Sequence, residues 1–275
     1  MVVDPRHDHS MRIPRPDLSV KLGTPNACNQ CHQDRDAGWA AAQVETWYGD
    51  TTAGFQTWAG ALQAARDGKP GAGDGLAELI RNSEVPAIAR ATALGLIPPY
   101  LGPGTIDVLE TGLADDDPML RTAALEVLEN APVNLQVQLA WPLLSDPVSA
   151  VRMEAARVLA AVPAGDLATD QRALLENAIQ DYISAQQAMA ERPAAQTNLG
   201  NLYAAQGDTE KATGSYKTAI DIDPAYVPAH VNLADLYRAT GDNAGAEKTL
   251  RRATRSVPAS AELRHALGLA LVRTK

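Results

Sequence analysis

An all-α fold is predicted for this chain: an irregular N-terminal segment followed by an α-solenoid. Three observations predict it. The composition is 45% hydrophobic but only 4% aromatic, with Phe55 the single phenylalanine. Alanine and leucine make up much of the apolar content, which suits closely packed short helices better than a β-sandwich. A block opening with arginine recurs every 31 residues through the middle of the chain, and a different block recurs every 34 residues towards the C-terminus. Fixed periods of this size mark stacked helical units, each burying its apolar face against the next. The expected organisation is 1–49, 50–75, 76–168 and 169–275.

Residues 1–49 come first. Pro5, Pro14, Pro16 and Pro25 forbid a regular helix over residues 1–27 and favour turns and extended chain. Such a strap has no periodic apolar face and needs something to wrap around. Thr24-Pro25-Asn26 reads as a helix start, with Thr24 as cap and Pro25 at the first helical position. A second helix is expected after Asp34-Arg35-Asp36, running through Trp39, Val44, Trp47 and Tyr48 to a stop at Gly49.

The first of these helices carries Cys28-Asn29-Gln30-Cys31-His32, and these are the only two cysteines in the chain. Cys-x-x-Cys-His is the attachment signature of a c-type haem. Two intervening residues on a helical turn put both sulfurs on one side. There they can form thioethers to the haem vinyl groups, while the adjacent imidazole reaches the iron. Cys28 and Cys31 are therefore the candidate attachment points for haem c, and His32 is the candidate proximal iron ligand. His9, 19 residues before Cys28, has enough chain to cross a haem face and is the candidate distal ligand. His7 is a weaker candidate and Met11 a rival. Arg6, Arg12, Arg15 and Lys21 are candidate partners for haem propionates. Two other readings of the cysteines stay open. A redox dithiol would need a βαβ context that is not visible. A zinc site with His9 or His32 would be short of ligands without a second Cys-x-x-Cys.

A formal charge of −9 argues against nucleic acid, which asks for a basic surface. An acidic surface can still dock a basic partner. No stretch is long and apolar enough to span a membrane. Met1-Val2-Val3-Asp4-Pro5-Arg6 lacks the basic start and apolar run of a signal peptide, although c-type haem is attached outside the cytoplasm. The expectation is therefore a periplasmic or otherwise extracytoplasmic protein of which this chain is a fragment, or one that begins at an internal Met.

Residues 50–75 read as a short helix, Phe55 to Arg66, and a Gly-rich linker from Asp67 to Gly75. Beyond it, Arg90-Ala91-Thr92-Ala93-Leu94 recurs as Arg121-Thr122-Ala123-Ala124-Leu125 and as Arg152-Met153-Glu154-Ala155-Ala156. Val85-Pro86, Asp117-Pro118 and Asp146-Pro147 mark the turn before each helix. These units resemble short HEAT-like repeats. The recurring arginine is read as an internal hydrogen-bonding residue rather than a catalytic one.

In residues 169–275, one amphipathic helix, Gln171 to Ala190, precedes the second repeat. Leu199, Gly200, Tyr203, Ala212, Tyr216, Ala219 and Pro224 match the tetratricopeptide pattern. Thirty-four residues on stand Leu233, Ala234, Tyr237, Ala246, Leu250, Ala253 and Pro258, and then Leu267, Gly268 and Leu271. Small residues let helices approach closely, and Gly207-Asp208 and Gly241-Asp242 form the inner turns. Asn198, Asn201, Asn232, Asp235 and Arg238 are candidates to line a concave partner-binding face. Alternatively, Asn198 and Asn232 hold local backbone. His230 stands where these repeats often carry a packing residue and His265 lies in the last helix; neither is read as a metal ligand.

The combination of Asp4-Pro5-Arg6-His7-Asp8-His9-Ser10, Arg12-Ile13-Pro14-Arg15-Pro16-Asp17 and Gly23-Thr24-Pro25-Asn26-Ala27-Cys28 with two repeat arrays resembles the C-terminal part of a bacterial multihaem c-type cytochrome fused to HEAT-like and tetratricopeptide repeats. The resemblance implies thioether attachment at Cys28 and Cys31, His32 as proximal ligand, His9 as distal ligand of this haem or of one upstream, and a periplasmic location. The chain departs from that family in having one haem motif. The expected function is electron transfer by a haem-bearing module whose repeats dock a redox partner protein or upstream haem domain. The alternatives are an interaction scaffold with an empty or vestigial haem site, and a fragment of a multihaem reductase with an open iron position. Asp115-Asp116-Asp117 is read as a solvated turn, and nothing indicates hydrolase or kinase chemistry.

Overall fold

The computed structural model of the chain describes residues 14–49, 56–102, 106–129 and 131–273. Among these residues every regular element is an α-helix or a short 3-10 turn, as an alanine-rich, aromatic-poor sequence favours. No helix among them is long and apolar enough to cross a membrane. The chain forms two compact units, Met1–Thr111 and Gly112–Lys275.

In the first unit, α1 (Pro16–Leu22) is a regular helix within the stretch expected to have none, because Pro16 stands at the first helical position, where proline is tolerated; the helix stops at Gly23, whose φ of 70° is the left-handed conformation of a C-cap. The single turn α2 (Cys28–Cys31) follows. Thr24-Pro25, the expected start, lies in irregular chain ahead of it. Asn26 takes the capping role instead: its Oδ1 accepts the Asn29 N–H at 3.2 Å, the side-chain-to-backbone bond that asparagine makes readily. The next helix, α3 (Ala37–Tyr48), runs as expected. The Asp36 side chain accepts the Trp39 N–H at 2.8 Å, and Gly49 ends the helix. Ala40 and Val44, one turn apart, bury its inner face, and α3 packs on both α1 and α2.

The Gly-rich stretch runs into a helix. After α4 (Ala59–Arg66) and a turn at Gly68, Gly71 opens α5 (Ala72–Arg81). Gly73, inside α5, makes room for Tyr100, since a Cβ there would lie 2.8 Å from the Cβ of Tyr100. The Tyr100 hydroxyl then donates to the Ala65 carbonyl at 2.6 Å. A composition that reads as a linker thus serves a close approach. Leu76, Ile80, Leu94 and Ile97, from α5 and α6 (Ala87–Leu96) with its C-cap, are fully buried, each contributing about 1.5–3 kcal/mol of transfer free energy. The short α7 (Asp107–Leu113) carries the chain out of this unit.

The second unit opens with α8 (Pro118–Leu128), α9 (Val133–Ala140) and α10 (Ser149–Val158). Arg90, Arg121 and Arg152, the 31-residue recurrence, each stand fourth in their helices. Each guanidinium donates to backbone carbonyls earlier in the chain: Ile80 at 2.8 Å, Asp115 at 2.7 Å and Asp146 at 2.8 Å respectively. The arginines are internal hydrogen-bonding residues: Arg121 and Arg152 clasp the turn before their own helix, and Arg90 reaches the preceding helix α5.

From α11 (Thr169–Gln187) onward the helices pair as α12 (Pro193–Ala205) with α13 (Thr209–Ile222) and α14 (Val227–Ala239) with α15 (Asn243–Ser256), followed by α16 (Ala261–Arg273). Gly207 and Gly241, with φ of 78° and 87°, turn the chain inside each pair. Asp208 and Asp242 then cap the following helix, accepting N–H groups at 3.1 and 2.8 Å. Tyr216 and Leu250, at equivalent repeat positions, centre the two cores.

Candidate functional site

The Cys-x-x-Cys-His turn sits at the edge of the first unit. Cys28 is half-buried, Cys31 is exposed, and both are free thiols. His32 closes the turn: its N–H donates to the Cys28 carbonyl at 2.9 Å, and its side chain is exposed. The thiols and the imidazole do not converge on one point as metal-ligand clusters do. Haem attachment asks for a different arrangement, since the sulfurs meet the vinyl groups and only the imidazole meets the iron.

Asparagines brace this turn. The Asn26 Nδ2 donates to Asn29 Oδ1 at 2.7 Å, and Asn29 Nδ2 donates to the Arg35 carbonyl at 2.7 Å. The Arg35 N–H donates in turn to the His32 carbonyl at 3.1 Å. The loop between α2 and α3 is therefore closed by Asn29, the first of the two residues between the cysteines. Trp39, half-buried on α3, lies with its ring centroid 4.8 Å from that of His32 at an interplanar angle of 52°. The Arg35 guanidinium stands 5.9 Å over the same indole. Sequence reading singled out none of these supports. An asparagine two residues before the haem motif, another inside it and an aromatic one helical start downstream were the available signals.

Of the residues named for the haem edge, His9, His7, Met11, Arg6 and Arg12 lie outside the described residues. Arg15 is engaged: it grips Asp17 with two 2.8 Å bonds. Those hydrogen bonds hold the Asp17 carboxyl below the usual carboxylate range. Lys21 is exposed.

A second candidate surface lies on α12, α14 and α16. Asn201 Oδ1 accepts from Tyr216 Oη and from Asn232 Nδ2, both at 2.8 Å. These bonds orient both amides and join adjacent repeats. Asn198 instead donates to Gln186 Oε1 on α11 at 3.1 Å. Asp235 and Arg238 pair at 3.2 Å on the exposed side of α14. Together with Glu262, His265 and Leu269 they line a groove of about 240 Å³, so His265 stands at a surface. His230 is buried, with Nε2 3.0 Å from the Pro224 carbonyl, and packs as expected.

No curated protein matches the chain. Residues 203–270, which span α13 to α15 and most of α16, match a tetratricopeptide repeat family model, in keeping with the paired helices and the 34-residue recurrence of that stretch.

Proposed function

We propose that the chain is a c-type cytochrome electron-transfer module, with haem c joined to Cys28 and Cys31 and its iron held by His32, on a repeat scaffold that docks protein partners. One observation carries the reading: a single turn presents two free thiols beside an exposed imidazole. That donor set fits the group. When bound, the haem supplies one-electron chemistry at iron. Cys28 and Cys31 anchor it and His32 holds one side of the iron. His9, or more weakly His7, holds the other side, unless His9 serves a haem on an upstream domain. The protein is then an electron carrier and not an enzyme, and it works in the periplasm, where such haems are attached. The 31-residue units are read as HEAT-like repeats. With the tetratricopeptide array they dock a redox partner protein.

The test is a pyridine haemochrome assay on denatured protein made alongside the cytochrome c maturation machinery. Covalent haem in the wild-type chain and its loss in Cys28→Ala/Cys31→Ala is the expected result. Wild-type protein with no covalent haem would refute the proposal.

A second reading is favoured by the oriented Asn201–Asn232 pair and the match over 203–270. In it the chain is an interaction scaffold with an empty or vestigial haem site. It predicts partner binding unaffected by loss of both cysteines.

A further inference from the structure

We infer that Trp39 is a positioning residue for the His32 imidazole, holding its ring against α3 before and after haem is attached; this rests on the haem reading above.

Everything about His32 except its side-chain torsions is already held. Its N–H is bonded to Cys28 and its carbonyl accepts from Arg35, while Asn29 ties the following loop through the Arg35 carbonyl. An exposed histidine ordinarily samples several rotamers. Here one face of the ring meets the Trp39 indole at 4.8 Å. The Trp39 backbone is fixed at the start of α3, where its N–H donates to the capping Asp36 at 2.8 Å, and its half-buried indole also meets the Arg35 guanidinium at 5.9 Å. The two aromatic rings therefore come from rigidly connected elements on either side of a closed loop. The separation lies within the range at which aromatic rings attract, with the planes tilted between stacked and edge-to-face. The imidazole is thus in contact with the Trp39 ring while the residue as a whole stays exposed. An axial ligand held this way has a fixed ring plane, and ring orientation and local burial are levers a protein has over haem iron.

The test uses the full chain in two states. Without haem, the His32 ring protons should resonate upfield of a solvent-exposed histidine because of the indole ring current. Trp39→Ala should return them to the exposed position, and Trp39→Phe should keep part of the shift. With haem attached, Trp39→Ala should shift the low-spin electron paramagnetic resonance g-values and lower the midpoint potential as water gains access. Trp39→Phe should stay close to wild type, which separates positioning from loss of folding. Wild-type His32 resonances at the exposed position, or unchanged by Trp39→Ala, overturn the inference whether or not haem binds. Unchanged g-values and potential in haem-loaded Trp39→Ala overturn it as well. Failure to attach haem at all counts against the haem reading, and the ring-current measurement then decides this one.

Discussion

Arg121 and Asp146 form a two-point ion pair, with Nε to Oδ2 at 2.8 Å and Nη2 to Oδ1 at 3.0 Å, and only 11% and 5% of the two side chains exposed. Asp146 also accepts the Val148 N–H at 2.8 Å ahead of α10, and its carbonyl takes the guanidinium of Arg152. One aspartate thus joins two successive 31-residue units. Removing one partner of such a pair strands a buried charge. Arg121→Met should therefore destabilise the second unit by about 3–5 kcal/mol. Arg121→Met/Asp146→Ala should cost less than the single change, because no charge is left unpaired. Urea unfolding of the three proteins checks this, and a single variant within about 1 kcal/mol of wild type would sink it.

Gly200 and Gly268 occupy the same position of the 34-residue unit and should respond oppositely to alanine. A Cβ at Gly200 would run into the Tyr216 ring, whereas one at Gly268 would meet nothing within 4 Å. Gly200→Ala should cost about 1–3 kcal/mol through overpacking. Gly268→Ala should be neutral or stabilising by up to about 1 kcal/mol, from helix propensity. Thermal melts compare the two directly. Equal effects would mean that Tyr216 can yield.

Much of this was legible because repetition amplifies weak signals. Leu199, Tyr216 and Pro224 would each mean little alone, but their recurrence after 34 residues fixes helix pairs and inner turns. The arginines at 90, 121 and 152 likewise gave away a structural role by recurring. The Gly-rich stretch at 67–75 misleads because composition cannot distinguish a flexible glycine from one such as Gly73, which makes room for Tyr100 some 27 residues later. At the haem turn the motif names Cys28, Cys31 and His32. The Asn26–Asn29 bonds are local, whereas the contact of Trp39 with His32 depends on how α2 and α3 meet, and no local pattern encodes that.

Tyr182 and Tyr216 should make the fold sensitive to strong alkali. Burial pushes both phenols up to about 12, against an ordinary value of about 10 for an unfolded chain. Between those values the unfolded state releases protons that the folded state keeps. The tyrosines' contribution is therefore fully present below about pH 10 and is lost as pH rises towards about 12. Tyr216 loses more than solvation, since its hydroxyl is the donor to Asn201. Melting temperature should fall across this window, with late phenolate absorbance appearing together with loss of helicity. Tyr182→Phe should flatten the decline. Uniform phenolate formation near pH 10 with helicity intact would contradict the burial argument.

Loss of both cysteines should leave the tetratricopeptide array untouched. Cys28 and Cys31 contribute to no buried cluster: one is half-buried and the other exposed on a single turn. The array's cores are built from α12 to α16, around Tyr216 in one case and Leu250 in the other. Cys28→Ala/Cys31→Ala should accordingly remove covalent haem while amide hydrogen exchange over residues 193–256 stays at wild-type protection. Stability of that part should change by no more than about 0.5 kcal/mol, the usual range for surface substitutions. Hydrogen exchange read peptide by peptide in the full chain makes the comparison without truncation. Faster exchange in α12 to α15 of the double variant would show that haem attachment stabilises the repeats, and would count against an array that folds on its own contacts. Slower exchange confined to residues 16–48 in haem-loaded wild type would instead place the ordering effect on α1 to α3, where the Asn26–Asn29 and His32–Trp39 contacts already close the turn.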